Sequence, residues 1–506
     1  MTIDVAAVLN GTGAEVVRGR PSNGLTSGGL ARADLAQALM SVTVDSRTAE
    51  PGSLFVALRG ERTDGHEFIG DALKRGSAAC LVSRIPDEKI LRQAPANAHE
   101  IVLLVVPDTL SALQRLATYW RLRHDIPVVG ITGSIGKTTT KEIVASVLSA
   151  QCPVLRSEAN FNTEIGLPLT LLRLEKRHEI AVLEMGMHVP GDIAVLVEIS
   201  RPTVGIVTNV APIHLERCTT LERIARGKSE MVAGLQPDGL AVVNGDDPWT
   251  RAMTKSSGVS PIVWVGIGTD CDFRAEDIQT IGLKGVRFTL RAEGRRFSIR
   301  TRVPGVHTVH AFLFAAAVAR SVGMAWCEIQ AAMEDVRLET RQRIVHLRCD
   351  NVVLIDDTYN ASPPSMRAAL DVLASGTGVK IAVLGDMLEL GPDEEAAHIE
   401  IGQEVARAAD WLVARGERGA WIGDGAERAG METRRIVRAA TNADALHAVA
   451  SLIRGALATG AATSSPKMRG SWERSKDANE WTVLVKGSRG MGMEEVVSGL
   501  IGASSC

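Results

Sequence analysis

Apolar positions along the chain fall into short runs separated by stretches long enough to hold a helix. Leu54-Phe55-Val56-Ala57-Leu58 follows the turn residues Pro51-Gly52, and the runs Ala79–Val82 and Ile101–Val106 come next. Runs of this length bounded by turn signals predict buried strands. From Thr109 to Arg123 the spacing changes, because Leu110, Leu113, Leu116, Ala117 and Trp120 recur at a helical period. Pro127 opens a new segment, so a domain boundary is placed near residue 125. Beyond it, strands are expected at Val128–Ile131, Ile180–Leu183, Val204–Val207 and Leu240–Val243, with helix-length patterns between the first three. Such alternation implies a parallel sheet covered by helices.

The habit repeats from about Val336, with strand-like runs at Val352–Ile355, Ile381–Leu384, Trp411–Val413 and Thr482–Val485. Residues 460–480 are polar, with Ser464, Ser465, Pro466 and Gly470, and read as a long surface loop. No tandem repeat is visible. The expected fold is α/β in three domains, spanning residues 1–124, 125–335 and 336–506. The length of 506 residues agrees with about three domains.

Composition narrows the function. Lys+Arg number 56 against Asp+Glu 59, a net charge of -3, so no cationic excess is present to neutralise a nucleic-acid backbone. Aromatics at 4% provide few stacking platforms for single strands. No run of about 18 apolar residues could span a bilayer, and the first thirty residues carry no signal-peptide pattern. The seven cysteines (80, 152, 218, 271, 327, 349 and 506) contain no CxxC pair, which fits a reducing compartment. A cytoplasmic protein is expected, without nucleic-acid partners and without membrane insertion.

The strongest chemical signal is Gly130-Ile131-Thr132-Gly133-Ser134-Ile135-Gly136-Lys137-Thr138-Thr139, which follows a strand and opens a helix. Glycines there let backbone N–H groups close around phosphate oxygens at a helix N-terminus. Lys137 is placed to reach the β- and γ-phosphates and the Thr138 hydroxyl to bind Mg²⁺. Ile131 stands where the general GxxxxGK[ST] pattern has glycine, so the motif reads GxTGxxGKT. Gly133, Ser134, Gly136, Lys137, Thr138 and Thr139 form the expected nucleotide loop.

Other strand tips carry candidates whose reading is more open. Glu184 ends the run Ile180–Leu183, where a carboxylate faces the ligand crevice of a parallel sheet and can hold Mg²⁺, or can simply cap a surface turn. His214 follows the third strand and is either a structural histidine or an unusual ligand for a second Mg²⁺. Lys228 reads from its spacing as one more helix lysine. Asp356-Asp357-Thr358-Tyr359-Asn360-Ala361-Ser362-Pro363 follows Val352–Ile355 and suits a ribose or a cation, or a polar turn closed by proline. Lys486-Gly487-Ser488-Arg489 is a weaker signal for carboxylate binding.

Taken in order, these segments resemble the Mur ligase family over nearly the whole chain. The markers are Asp45-Ser46-Arg47 with the stretch Gly60–Phe68, the GxTGxxGKT loop, Asn160–Pro168 and Glu184-Met185-Gly186-Met187. Asp357-Thr358-Tyr359-Asn360-Ala361, Leu384–Gly391 and Lys486–Arg489 follow, and point to the dipeptide-adding branch. The resemblance implies an N-terminal domain for a UDP-muramoyl peptide, a central ATP-binding domain and a C-terminal Rossmann-like domain. It implies ATP-dependent joining of D-alanyl-D-alanine to UDP-N-acetylmuramoyl-tripeptide through an acyl phosphate, by a monomer. Thr138 and Glu184 match ligands of one Mg²⁺, and His214 matches a ligand of a second. Lys228 matches a carbamylated lysine. Asn162 and Thr163 match contacts to the muramoyl peptide, Ser46 and Arg47 contacts to the uridine nucleotide, and Arg341, Asp357 and Tyr359 groups that close on ATP. Thr308 and Ala311 stand where the family has asparagines, so the adenine contact is expected to differ. Sister amino-acid-adding ligases and folylpolyglutamate synthase are the near alternatives, and a P-loop nucleotide switch is the alternative of another class.

Overall fold

Three β-sheets follow one another along the chain. The computed structural model describes residues 3–20, 24–27, 35–36, 38–94, 101–158, 160–212, 220–255, 258, 261–338, 341–347, 351–459 and 481–503. The loop expected over residues 460–480 and His214 lie outside the described residues. Among the described residues no helix is long and apolar enough to cross a membrane.

The first sheet contains β1 (Glu15–Arg20), β2 (Gly24–Ser27), β3 (Val42–Thr43), β4 (Leu54–Val56), β5 (Ala79–Val82) and β6 (Ile101–Val105) in the order β2-β1-β6-β5-β4-β3. β3 to β6 are parallel, and β1 runs antiparallel to β2 and β6. The three expected runs are β4, β5 and β6. The sequence reading did not identify β1, because Glu15, Arg18 and Arg20 interrupt any apolar run.

The helix Thr109–Arg121 starts at Asp108, whose carboxylate accepts from the Ser111 backbone N–H at 2.6 Å. Leu113, Leu116, Ala117 and Trp120 on its buried face join a core that also holds Leu54, Leu81 and Leu104 of the first sheet and Leu183 of the second. Trp120 Nε1 donates to the Leu174 carbonyl at 3.0 Å. The buried Arg121 guanidinium donates to the carbonyls of His124, Ile126 and Ser200. The helix therefore fastens the first sheet to the second through one shared core.

The second sheet has β7 (Val128–Thr132), β8 (Val154–Arg156), β9 (Ile180–Glu184), β10 (Val204–Val207), β11 (Leu240–Asn244), β12 (Ile262–Gly266), β13 (Phe273–Thr280), β14 (Val286–Ala292) and β15 (Arg295–Thr301). Their order is β15-β14-β13-β12-β11-β10-β7-β9-β8. β7 to β13 pair in parallel, and β14 and β15 extend the sheet antiparallel. In β14, Val286, Phe288, Leu290 and Ala292 face the core while Arg287 and Arg291 face solvent. That half-buried alternation differs from the continuous apolar runs by which buried parallel strands are read.

The third sheet contains β16 (Arg343–Leu347), β17 (Val352–Asp357), β18 (Val379–Gly385), β19 (Trp411–Arg415), β20 (Ile436–Ala439) and β21 (Trp481–Lys486), ordered β16-β17-β21-β18-β19-β20. Only β16 is antiparallel. The last strand in sequence thus inserts between β17 and β18. Lys486 comes to lie beside Asp357 on one side and Leu384 on the other.

Candidate active site

The loop after β7 is shaped by two glycines in backbone conformations that L side chains rarely adopt, Gly133 at φ 144° and Gly136 at φ 82°. A Cβ on Gly133 would lie 1.9 Å from Thr208 Oγ1. The tip of β10 pins this loop. Ser134 N donates to Asn209 O at 2.9 Å, Ile135 N to Asn209 Oδ1 at 2.9 Å, and Thr208 Oγ1 to Ile135 O at 2.7 Å. Thr208 and Asn209 are thus buttresses of the phosphate loop, a role their sequence context did not reveal. The helix Lys137–Ser149 starts at Gly136 and directs its N-terminus toward the cavity side of the loop. Lys137 Nζ donates to the carbonyls of Gly133 at 2.9 Å and Ser134 at 3.1 Å. Burial lowers its pKa; Glu184 opposes that shift and Arg341 adds to it.

Glu184, the last residue of β9, is buried at 2% exposure. Its Oε1 accepts from Asn162 Nδ2 at 3.0 Å, and its backbone N–H donates to Ser157 Oγ at 3.1 Å. Oε2 is buried without a hydrogen-bond partner. A hard, anionic oxygen left unsatisfied at the rim of a phosphate loop suits Mg²⁺, and the Thr138 hydroxyl supplies a second oxygen. Thr138 Oγ1 accepts from Arg341 Nη2 at 3.3 Å. Among the described residues no group of three or more His, Cys, Asp or Glu side chains is arranged as a metal site, so the fit rests on these two oxygens. Lys228 is buried at 3% exposure with Nζ 3.5 Å from Thr132 Oγ1, directly under the strand that leads into the loop.

The third sheet contributes cations and an aromatic ring. The Arg341 guanidinium stacks 4.4 Å from the Tyr359 ring centroid, and Arg489 lies 5.8 Å from it on its own account. Arg341 Nε is buried without a partner. Burial raises the Tyr359 phenol above its ordinary range, and the charge of Glu184 pushes the same way. Asp357 has its carboxylate engaged by Lys486, 2.7 Å away, in a pair excluded from solvent. Lys486 Nζ also donates to Asn360 O at 2.7 Å, which ties the last strand to the Tyr359 loop.

These elements converge on a cavity of about 740 Å³. Ser134, Gly136, Lys137 and Thr138 line it from the phosphate loop, Asn162, Thr163 and Glu184 from the middle domain, and Arg341 and Tyr359 from the C-terminal domain. Gly133, Thr139, Lys228 and Asp357 do not line it. Ser46 and Arg47 are not brought to the cavity. They form a 3-10 turn in the first domain, where Arg47 is 85% exposed and paired with Asp45. Thr308 and Ala311 are buried at the start of the helix Val309–Ser321, with Thr308 Oγ1 donating to Gly305 O, so neither lines the cavity. Lys141, Ser157, Thr208 and Asn209 are site residues to which the sequence reading gave no role, and Lys486, read there only as part of a weak carboxylate signal, instead holds Asp357.

The chain is similar to known proteins along its whole fold. The Mur ligase family catalytic domain matches residues 39–121, the Mur ligase middle domain residues 131–319 and the Mur ligase glutamate ligase domain residues 337–461. The UDP-N-acetylmuramoyl-tripeptide–D-alanyl-D-alanine ligase of Bacillus subtilis is 34% identical over 483 residues, which cover 94% of this chain and 96% of that protein. A crystal structure of MurF from Acinetobacter baumannii is similar with a TM-score of 0.82 at 29% identity, over 99% of both chains. MurF ligase from Thermotoga maritima in complex with ADP has a TM-score of 0.73 at 26% identity, covering 92% of this chain and 98% of that one. With all three family domains matched in order and a relative aligned along nearly its whole length, the chain belongs to the Mur ligase family.

Proposed function

We propose that this enzyme uses ATP to join D-alanyl-D-alanine to the tripeptide carboxylate of UDP-N-acetylmuramoyl-tripeptide, as a monomer in the cytoplasm. The observation that carries the reading is the cavity in which the phosphate loop, the Asn162–Glu184 pair and the Arg341–Tyr359 stack meet. The relative from Bacillus subtilis, whose name states that activity, aligns over 94% of this chain.

The tripeptide carboxylate attacks the γ-phosphorus of ATP, ADP leaves, and an acyl phosphate remains. The dipeptide amine then attacks the acyl carbon, and phosphate departs as the peptide bond forms. Phosphoryl transfer of this kind is catalysed chiefly by positioning and charge stabilisation. In the first step the loop N–H groups and the helix N-terminus hold the phosphates, and Lys137 turns from the Gly133 and Ser134 carbonyls onto the transferring group. Thr138 and Glu184 would hold Mg²⁺, and His214 would hold a second ion. When bound, Mg²⁺ offsets the negative charge of the β- and γ-phosphates. Carbamylation of Lys228 would convert a buried cation into an anion behind the loop. Asn162 and Thr163 face the muramoyl peptide, and the exposed Arg47 with Ser46 receives the uridine nucleotide. Arg341 and Tyr359 close on ATP, and Asp357 acts at one remove by holding Lys486. Because the first two domains share a core, the C-terminal domain is the part that closes and excludes water from the acyl phosphate.

The direct test is phosphate release from ATP and Mg²⁺ with UDP-N-acetylmuramoyl-tripeptide, with and without D-alanyl-D-alanine. Release that needs both, with a product heavier by the dipeptide, is expected. Release without the dipeptide requirement would assign another acceptor or a nucleotide switch. Lys137→Ala should abolish release, and near-normal turnover in that variant would remove its role.

A further inference from the structure

Lys141 lies one turn beyond Lys137 on the phosphate-loop helix, yet it is 1% exposed and does not line the cavity. Its Nζ donates to the Ser157 carbonyl at 2.9 Å, pairs with Glu142 Oε1 at 2.9 Å and sits 4.0 Å from Glu184 Oε2. Burying an ammonium is unfavourable, and an apolar side chain of similar volume often serves packing as well or better. A cation retained here points to a task beyond packing.

The surroundings define that task. Glu184 is held at Oε1 by Asn162 and at its backbone by Ser157 Oγ, and the same Ser157 carries Lys141 on its carbonyl. Lys141 Nζ sits 4.0 Å from Oε2, close enough to fix the carboxylate electrostatically but too far for a hydrogen bond. Oε2 therefore keeps its lone pairs. The charge of Lys141 need not repel an incoming cation, because Glu142 offsets it at 2.9 Å, and Arg156 holds the other Glu142 oxygen at 2.7 Å.

We propose that Lys141 is a positioning residue for the metal-binding carboxylate, holding Glu184 so that Oε2 stays directed at the nucleotide-bound divalent cation. The proposal rests on the reading that Glu184 is a ligand. Groups that orient a ligand without touching the metal typically cost 10- to 100-fold in metal affinity when removed.

Mn²⁺ is the probe, titrated into full-length enzyme saturated with ADP and followed by electron paramagnetic resonance. Lys141→Met should weaken Mn²⁺ binding at least tenfold, while affinity for ADP without metal stays within about twofold of wild type. A purely structural role would move both affinities together or neither. Lys141→Gln can still donate to the Ser157 carbonyl but lacks the charge, and it decides the matter if the methionine variant does not fold. Wild-type Mn²⁺ affinity in a folded Lys141 variant would overturn the proposal, as would equal losses of Mn²⁺ and metal-free ADP binding. Glu184→Gln separates the two levels: if it binds Mn²⁺ like wild type, the ligand reading fails. If it loses Mn²⁺ while the Lys141 variants retain it, only the positioning role fails.

Discussion

Gly133→Ala tests how tightly the nucleotide loop is determined. Two costs follow from the structure. The backbone at φ 144° strains any residue with a Cβ, by about 1–3 kcal/mol. The new Cβ would also sit 1.9 Å from Thr208 Oγ1, so Thr208 must turn away and give up its 2.7 Å bond to the Ile135 carbonyl, about 1 kcal/mol more. The sum is about 2–4 kcal/mol. If the empty loop relaxes, nucleotide must drive it back, and the cost appears as about 30- to 1000-fold weaker ADP binding. If it does not relax, the same cost appears as lost stability. Calorimetric titration with ADP and urea unfolding of the same protein measure both parts. In a Thr208→Ala background the penalty should shrink by about 1 kcal/mol, because the hydroxyl contact is already gone. An alanine variant that binds ADP within twofold and unfolds like wild type would refute the reasoning.

Other outcomes follow from the same geometry. Asp357→Asn leaves the Lys486 ammonium buried without its counter-charge and should cost about 3–5 kcal/mol in urea unfolding, most of it restored by adding Lys486→Met. Arg341→Lys should lower kcat/KM for ATP about as much as Arg341→Ala, because an ammonium does not reproduce the planar stack on Tyr359; full activity in the lysine variant would count against the stack. Asp108→Ala removes the cap of the helix that fastens the first two domains and should destabilise by about 1 kcal/mol at neutral pH. Its carboxyl is held below the ordinary range by the Ser111 backbone N–H, so the folded pKa is the lower one. The stabilisation is thus complete above about pH 4 and is lost as pH falls through the folded pKa, where variant and wild type should converge.

Much of this protein could be read locally. The glycine–lysine loop, the fully buried strands β7, β9 and β10, the buried run Val352–Ile355 of β17, and the helix from Thr109 are each fixed by a pattern within about fifteen residues, because turn chemistry and apolar runs act over that range. Strands whose burial is one-sided or edge-placed, such as β14 and β20, escaped because alternation with arginines resembles surface sequence until a partner strand is known. Site residues divide the same way. Lys137 and Thr138 declare themselves by spacing, whereas the residues that hold them in place do not.

What the sequence determined alone was the α/β alternation, the phosphate loop and the order of three domains, since hydrophobic period and glycine placement are properties of adjacent residues. Only the tertiary structure decided which charges meet. It brought Arg341 onto Thr138 across 203 residues, Lys486 onto Asp357 across 129, and Lys141 beside Glu184. A buried charge gains or loses by its partner's distance in a low-dielectric interior. That distance is set by the order of strands in the sheet rather than by their order in the chain.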